Sequence, residues 1–372
     1  MAVYFDHNAT TPLAPEVLEA MLPYLRGPYA NASSLHRLGR AARDAVEQAR
    51  LSVASLVGGQ PRDVIWTSGG TEANNLALKG VLTPGRAARL AYGSTEHPAV
   101  MEAAEALRAW GVDIQVLPVD RQGSLDFAAL EAVLATPTVL VSLMRANNET
   151  GVLHDIPAIA ARVHAAGALL HVDAVQAAGK LALDVGTLGA DLLSLSSHKL
   201  YGPKGIGALV RVAPVDLQPQ QRGGAQEDGL RGGTLNVPAI VGFGAAADLA
   251  VERLEQRSRH LLALRSVLEA GLRSVPGVEL FAADAPRLPN TVQFRLAGWE
   301  GEALLMRLDR AGFCVSSGSA CASGSGEPSH VLLAMGIDPD TAFGAVRVSL
   351  GEANTEAEVA AFVAALKQVA AP

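Results

Sequence analysis

Lys199 closes an apolar run, Leu192-Leu193-Ser194-Leu195, by way of Ser196-Ser197-His198, and a stretch containing Gly202, Pro203, Gly205 and Gly207 follows it. The run has the pattern of a buried strand. The glycines and proline make the segment after the lysine a loop rather than a helix. Lysine normally keeps its ammonium in water. Held against the end of a buried strand, it loses its proton more easily and can act as a nucleophile or base, for example as a Schiff-base amine. Asp173 ends a second such run, His97 follows a third and Asn148 a fourth. DVIWTSGGTEANN reads as a strand over 64–66, a glycine turn over 68–71 that includes Gly70 and Thr71, and a helix from Glu72 onward. A glycine turn feeding a helix N-terminus directs backbone N–H groups and the positive end of the helix dipole at one point, which suits phosphate.

The elements that must hold these residues alternate along the chain. Strands are expected at 89–92, 115–119, 138–144, 168–172, 191–195 and 208–212, with helices at 41–57, 100–110 and 156–166 among them. In the 41–57 helix Ala41, Ala45, Ala49, Val53 and Leu56 form the apolar stripe, and Gly58-Gly59 ends it. Alternation of this kind implies an α/β fold with a mostly parallel sheet flanked by helices, whose ligands collect at the carboxyl ends of the strands. Thr71, His97, Asn148, Asp173 and Lys199 all fall just after a strand, which argues for one shared site. Taken singly, each has a plainer reading. Lys199 could be a surface lysine in a turn, Asp173 a helix cap, Gln176 a solvated helix residue, and the 68–71 turn an ordinary capping turn.

A long helical stretch from 237 to about 264 leads into a second, smaller α+β unit. Its strands are expected at 278–281, 290–296, 313–316 and 346–349, its helices at 302–309, 331–335 and 356–369. The expected division is 16–250 for the large domain, and 1–15 with 251–372 for the small one. Arg347, on the 346–349 strand, could clamp a carboxylate or simply be half-exposed. Cys314, in GFCV, reads as core. Cys321 lies in SSGSACASGSGEPSH among small residues that cannot bury it, so its reactivity depends on thiolate character. The loop, about 316–328, is expected to be mobile.

With 372 residues the chain is long for one core. Hydrophobic residues make up 49% and charged residues 18%, which argues against disorder. The formal net charge is −7 with no run of Lys or Arg, so nucleic acid is not an expected partner. The N-terminal MAVYFDHNATT has neither the basic nor the apolar part of a signal peptide, and no apolar stretch could span a bilayer. A soluble cytoplasmic protein is expected. Two cysteines without an export signal do not suggest a disulfide framework, and their spacing is not a zinc pattern. No G-x-G-x-x-G follows an early strand. Ala174 stands where the first glycine of a phosphate loop before Gly179-Lys180 would have to be. A lysine, a strand-end aspartate, a phosphate-type helix start and a histidine suit pyridoxal phosphate instead. That cofactor uses a lysine Schiff base and a charged partner for its pyridine nitrogen.

YFDHNATT, SSLHRLGR, TSGGTEANN, TEHPAV, NNETG, HVDAVQAAGK, LSSHKLYGPKGIGAL, RGGTLNVPAIVGFG, SSGSACASGSGEPSHVLLAMG and VRVSLG occur in this order. Together they resemble the cysteine desulfurases of the NifS/IscS type, fold-type-I pyridoxal-phosphate enzymes, over essentially the whole chain. The resemblance implies that Lys199 carries the Schiff base. Asp173 would bind the pyridine nitrogen, Gln176 the phenolic oxygen, and His97 would stack on the ring and help move protons. Gly70, Thr71, Ser196 and His198 would hold the phosphate, joined by Thr234 from a second subunit of a homodimer. Asn148 and Arg347 would hold the carboxylate of L-cysteine. Cys321 would carry the persulfide to an acceptor protein, an iron–sulfur scaffold or a tRNA-thiolation enzyme. No fixed metal site is implied, although Cys321 could serve as a transient cluster ligand. His7 and Gly232 depart from the commonest family residues without touching this chemistry. The chain ends soon after its last helix, so the extended docking tail of the housekeeping branch is not expected, and the length of the Cys321 loop resembles the mobile-loop group. The rivals are a selenocysteine lyase or class-V aminotransferase on the same scaffold, and a non-catalytic sulfur-transfer scaffold.

Overall fold

The computed structural model describes residues 2–27, 29–85, 88–317 and 327–370. The chain opens with β1 (Val3–Tyr4), α1 (Pro15–Arg26) and α2 (Arg37–Leu56). It continues through β2 (Val64–Thr67), α3 (Gly70–Val81), β3 (Arg89–Gly93), α4 (Pro98–Ala106), β4 (Asp113–Leu117), α5 (Phe127–Leu134), β5 (Leu140–Met144) and α6 (Ile156–Ala165). Next come β6 (Leu169–Asp173), α7 (Val185–Leu188), β7 (Leu192–Ser196), β8 (Gly207–Arg211) and the long α8 (Val237–Arg273). The last part holds β9 (Val278–Leu280), β10 (Thr291–Leu296), α9 (Gly301–Arg310), β11 (Phe313–Cys314), β12 (Ser316–Ser317), α10 (His330–Ala334), α11 (Pro339–Phe343), β13 (Ala345–Ser349) and α12 (Glu356–Ala370).

A seven-stranded sheet runs in the order β2-β8-β7-β6-β5-β3-β4. The pairs from β7 through β6, β5 and β3 to β4 are parallel, and β8 is antiparallel to both its neighbours. The mostly parallel sheet is therefore as expected, and β8 is the exception. The stretch between β7 and β8, 197–206, is too short for a parallel crossover, which takes roughly a dozen residues or more. Central β5 and β7 are buried along their whole length, as a sheet covered on both faces requires. Edge strand β4 is only partly covered, with Ile114 and Leu117 buried and Val116 exposed.

The stripe of α2 lies one residue from the expected one over its first turns. Ala42, Val46, Ala49, Val53 and Leu56 are buried, whereas Ala41 is exposed. Both stripes are apolar in sequence, and contact with α8 selects the one carrying Val46. At the crossing a side chain on Gly244 would lie 2.7 Å from Ala49, so only glycine allows the two helices to approach this closely.

α8 is longer than expected because it serves two cores. Ile240, Phe243, Ala247 and Ala250 pack with the seven-stranded sheet, while Leu261, Leu264, Leu268 and Leu272 pack under the four-stranded sheet β12-β13-β10-β9. Between the two groups Arg257 is buried. It donates to the Gly179 carbonyl at 3.0 Å, pairs with Glu352 at 3.0 Å and lies over the Tyr201 ring. The strand expected at 313–316 is divided. β11 pairs with β1 and β12 with β13, the chain changing partner at Val315. Cys314, expected in the core, is half-buried on the small β1-β11 sheet.

Candidate active site

The carboxyl ends of β3, β5, β6 and β7 open on one cavity of about 360 Å³. It lies where the strand order reverses, since the chain leaves β3 outward to β4 and returns inward to β5. Gly70, Thr71, His97, Asn148, Asp173, Gln176, Ser196, His198, Lys199 and Arg347 all line it. The structure thus brings together ten of the residues singled out in the sequence. Thr234 is exposed and does not line the cavity of its own chain. Cys321 lies outside the described residues.

Lys199 ends a single turn of 3-10 helix after β7, and its Nζ donates to the carbonyls of Asn8 and Ala9, the latter at 2.8 Å. Those carbonyls belong to the N-terminal segment, which crosses the mouth of the sheet and is fixed from far along the chain. Asn8 N–H donates to Ser349 Oγ at 2.9 Å, its Nδ2 to Thr291 Oγ1 at 2.8 Å, and its Oδ1 accepts from Asn290 at 3.0 Å.

Asp173, the last residue of β6, is buried. Its Oδ2 accepts from Asn74 Nδ2 at 2.7 Å and its Oδ1 from the Val175 N–H at 2.9 Å. The second bond is the local turn that a helix-cap reading would give. The first reaches across from α3 and fixes the carboxylate plane toward the cavity. Gln176 donates through Nε2 to the Asn8 carbonyl at 2.9 Å.

His97 caps α4, its Nδ1 accepting the Ala99 N–H at 3.0 Å. Burial above all, then Lys199 and His330, hold its pKa below the ordinary value against the opposite pull of Asp173. A neutral imidazole whose Nδ1 accepts must carry its proton on Nε2. His198 is pushed down to about 4 by burial first and then by Lys199, Lys204 and Lys180, and its Nδ1 lies 3.1 Å from Thr10 Oγ1. At neutral pH both rings are uncharged.

α3 begins at Gly70, beside Ser196. A side chain at 70 would run into Val175 at 2.8 Å, so glycine lets the helix start sit this close to the turn after β6. Arg347 is buried on β13. Its Nη2 pairs with Asp6 at 2.7 Å and its Nη1 donates to the Asn148 carbonyl at 3.0 Å.

These residues fit pyridoxal phosphate. The amine, the fixed carboxylate, the glycine cradle at a helix N-terminus and the apolar walls Ala99, Ala146 and Val175 match an aromatic phosphate with a basic ring nitrogen and an aldehyde. Among the described residues no group of three or more His, Cys, Asp or Glu could hold a metal ion. No described helix is long and apolar enough to cross a membrane.

Sequence reasoning passed over Asn8, Ala9, Asn74 and Lys180. Asn74 had a signal, because it lies four residues after Gly70 on the same helical face. Asn8 and Ala9 come to the site only through long-range packing, whereas Lys180 reaches Gln176 from four residues along the chain.

Comparison with known proteins agrees with this geometry. Residues 3–362 match the model of the family described as aminotransferase class-V. The chain is 48% identical over 365 residues to cysteine desulfurase IscS of Anaeromyxobacter sp. (strain Fw109-5), covering 96% of this chain and 89% of that one. It is also 48% identical to a cysteine desulfurase of Cereibacter sphaeroides, with 96% and 92% covered. Among solved structures, a NifS-like protein superimposes with a TM-score of 0.93 at 37% identity over 99% of both chains. SspA in complex with cysteine does so with a TM-score of 0.83 at 32% identity, over 95% of this chain and 100% of that one. By its family match, its relatives and its fold, this chain belongs to the class-V aminotransferase family, among its cysteine desulfurases of the NifS/IscS type.

Proposed function

We propose that the protein is a cysteine desulfurase that removes the sulfur of L-cysteine, releases L-alanine and carries the sulfur as a persulfide on Cys321. The observation that carries this reading is the convergence of Lys199, Asp173 and His97 on one cavity with a glycine-cradled helix start.

Lys199 would hold pyridoxal phosphate covalently, Asp173 would face its ring nitrogen, and Gly70, Thr71, Ser196 and His198 its phosphate. Bound there, the cofactor supplies an electron sink for charge developing at the substrate Cα. Arg347 and Asn148 hold the substrate carboxylate. Once its amine is released by the substrate, Lys199 takes the Cα proton at Nζ. The neutral His97 ring would offer its Nε2–H as a hydrogen-bond donor toward the reacting group. The Cys321 thiolate attacks the substrate sulfur. A sulfur–sulfur bond forms, the carbon–sulfur bond breaks, and its electron pair stays with the carbon, which gains a proton from solvent and becomes the methyl of alanine, while the proton held by Lys199 returns to Cα. The sulfur then passes to an acceptor protein of iron–sulfur cluster assembly or tRNA thiolation. The working unit is a homodimer whose second copy brings Thr234 to the phosphate end, and the chain divides at about residue 250, within α8.

The test is a single turnover with L-cysteine and no reductant. One alanine per site together with one extra sulfur on Cys321, read by mass spectrometry of the peptide, is the expected result. Alanine without a modified Cys321 would favour a lyase that does not need the thiol. A colourless protein that releases no alanine would leave only a sulfur-binding scaffold.

A further inference from the structure

Lys180 follows Gly179 in the turn after β6 and is 5% exposed. Buried ammonium groups are normally paired with an acid. Lys180 has no ion-pair partner among the described residues, and the charged or titratable groups acting on or with it are Lys199, Arg257, Arg347, His7 and His198. Its Nζ instead donates twice to one residue, to the carbonyl of Gln176 at 3.1 Å and to its side-chain Oε1 at 2.9 Å.

The Gln176 amide is thereby pinned at both ends. Its oxygen is taken by Lys180, and one hydrogen of its nitrogen goes to the Asn8 carbonyl at 2.9 Å. An amide nitrogen carries two hydrogens. The second N–H is what Gln176 has left to offer the cavity it lines. Without Lys180 only the Asn8 carbonyl would oppose a turned amide that presents its oxygen there.

We propose that Lys180 is a positioning residue that fixes Gln176 as a hydrogen-bond donor toward the cavity, so that the cofactor oxygen beside it is held as an anion rather than as a hydroxyl. This rests on the cofactor reading above. Burial and the neighbouring cations draw the Lys180 pKa well below its ordinary value. The amine has at least two N–H bonds to give in either protonation state, so the lock persists across the working pH range.

The test is the visible band of the lysine-bound cofactor in the holoenzyme, followed against pH. A donor on the neighbouring oxygen stabilises its negative charge and eases proton loss from the adjacent nitrogen. Lys180→Met should therefore raise the titration midpoint by about one pH unit, the scale of one charge-assisted hydrogen bond. Gln176→Leu should raise it similarly, and adding Lys180→Met to Gln176→Leu should change nothing more. A Lys180→Met midpoint equal to wild type overturns the proposal. So does a shift that persists in full in the Gln176→Leu background, which would make Lys180 a distant charge. If Lys180→Met does not fold, a crystal structure of the wild-type holoenzyme decides. Lys180 Nζ should stay within about 3 Å of the Gln176 side-chain oxygen, and an ammonium turned elsewhere overturns the proposal. A wild-type holoenzyme with no visible band would remove the cofactor reading itself, a result distinct from an unshifted midpoint.

Discussion

Arg347 and Asp6 lie 341 positions apart in sequence and meet at 2.7 Å inside the protein. The guanidinium is 1% exposed, and the Asn148 carbonyl takes a second of its donors. The pair aims the arginine at the cavity with its plane fixed, the arrangement that bidentate carboxylate recognition needs. Arg347→Lys keeps the charge and loses the fork. It should raise KM for L-cysteine roughly tenfold to a hundredfold, the value of one or two charge-assisted hydrogen bonds, with a smaller effect on kcat. Initial rates across a range of cysteine concentrations check this.

Lys199→Ala should lower turnover on the order of 10³-fold and abolish the visible band of the lysine-bound cofactor. The absorbance spectrum alone is decisive. An unchanged band would assign the link to another amine.

Cys321→Ser should leave cofactor loading and spectrum unchanged while desulfuration of L-cysteine falls to background. Sulfide release measured with an added thiol reductant separates this from a structural defect, because a misfolded variant would also lose its colour.

Asn74 holds one oxygen of Asp173 at 2.7 Å. Asn74→Ala should weaken cofactor retention roughly tenfold to a hundredfold, as expected for losing a hydrogen bond to a buried carboxylate. Equilibrium dialysis of the apoprotein against pyridoxal phosphate measures it.

His171 is fully buried in β6 between Ser142 Oγ at 2.8 Å and Ser194 Oγ at 2.9 Å. Burial pushes its pKa down to about 4, with Asp173 opposing. The folded chain therefore leaves this ring neutral while the unfolded chain protonates it below about 6.5. Its contribution to stability is intact above pH 6.5 and falls as the pH drops toward 4. Between pH 5 and 6 the stability of His171→Gln should vary less steeply with pH than that of wild type, by up to about 1.4 kcal/mol per pH unit. Urea melts of both proteins across that interval give the two slopes.

The strands were legible because each is a short apolar run bounded by polar or glycine residues. β3, β6 and β7 therefore lie within a residue or two of where the pattern puts them, and the chemistry-bearing residues after them share one end of the sheet. What the pattern could not show is what one part of the chain does to a distant part. The antiparallel turn into β8 depends on a connection too short to cross over. The half-burial of Cys314 depends on β1 being its only strand partner among the described residues. The double pinning of Gln176 requires residue 8 to lie beside residues 176 and 199, a neighbourhood that no local periodicity encodes.

The seating of Asn8 also has a consequence for biosynthesis. The carbonyls that meet Lys199 and Gln176 belong to a segment synthesised 282 to 341 residues ahead of the anchors of Asn8, which are Asn290, Thr291 and Ser349. A nascent chain stalled before residue 290 has the seven strands of its large sheet but not the residues that seat Asn8 at the cavity. Truncated chains that stop short of those anchors should therefore retain the proposed cofactor less tightly than finished molecules.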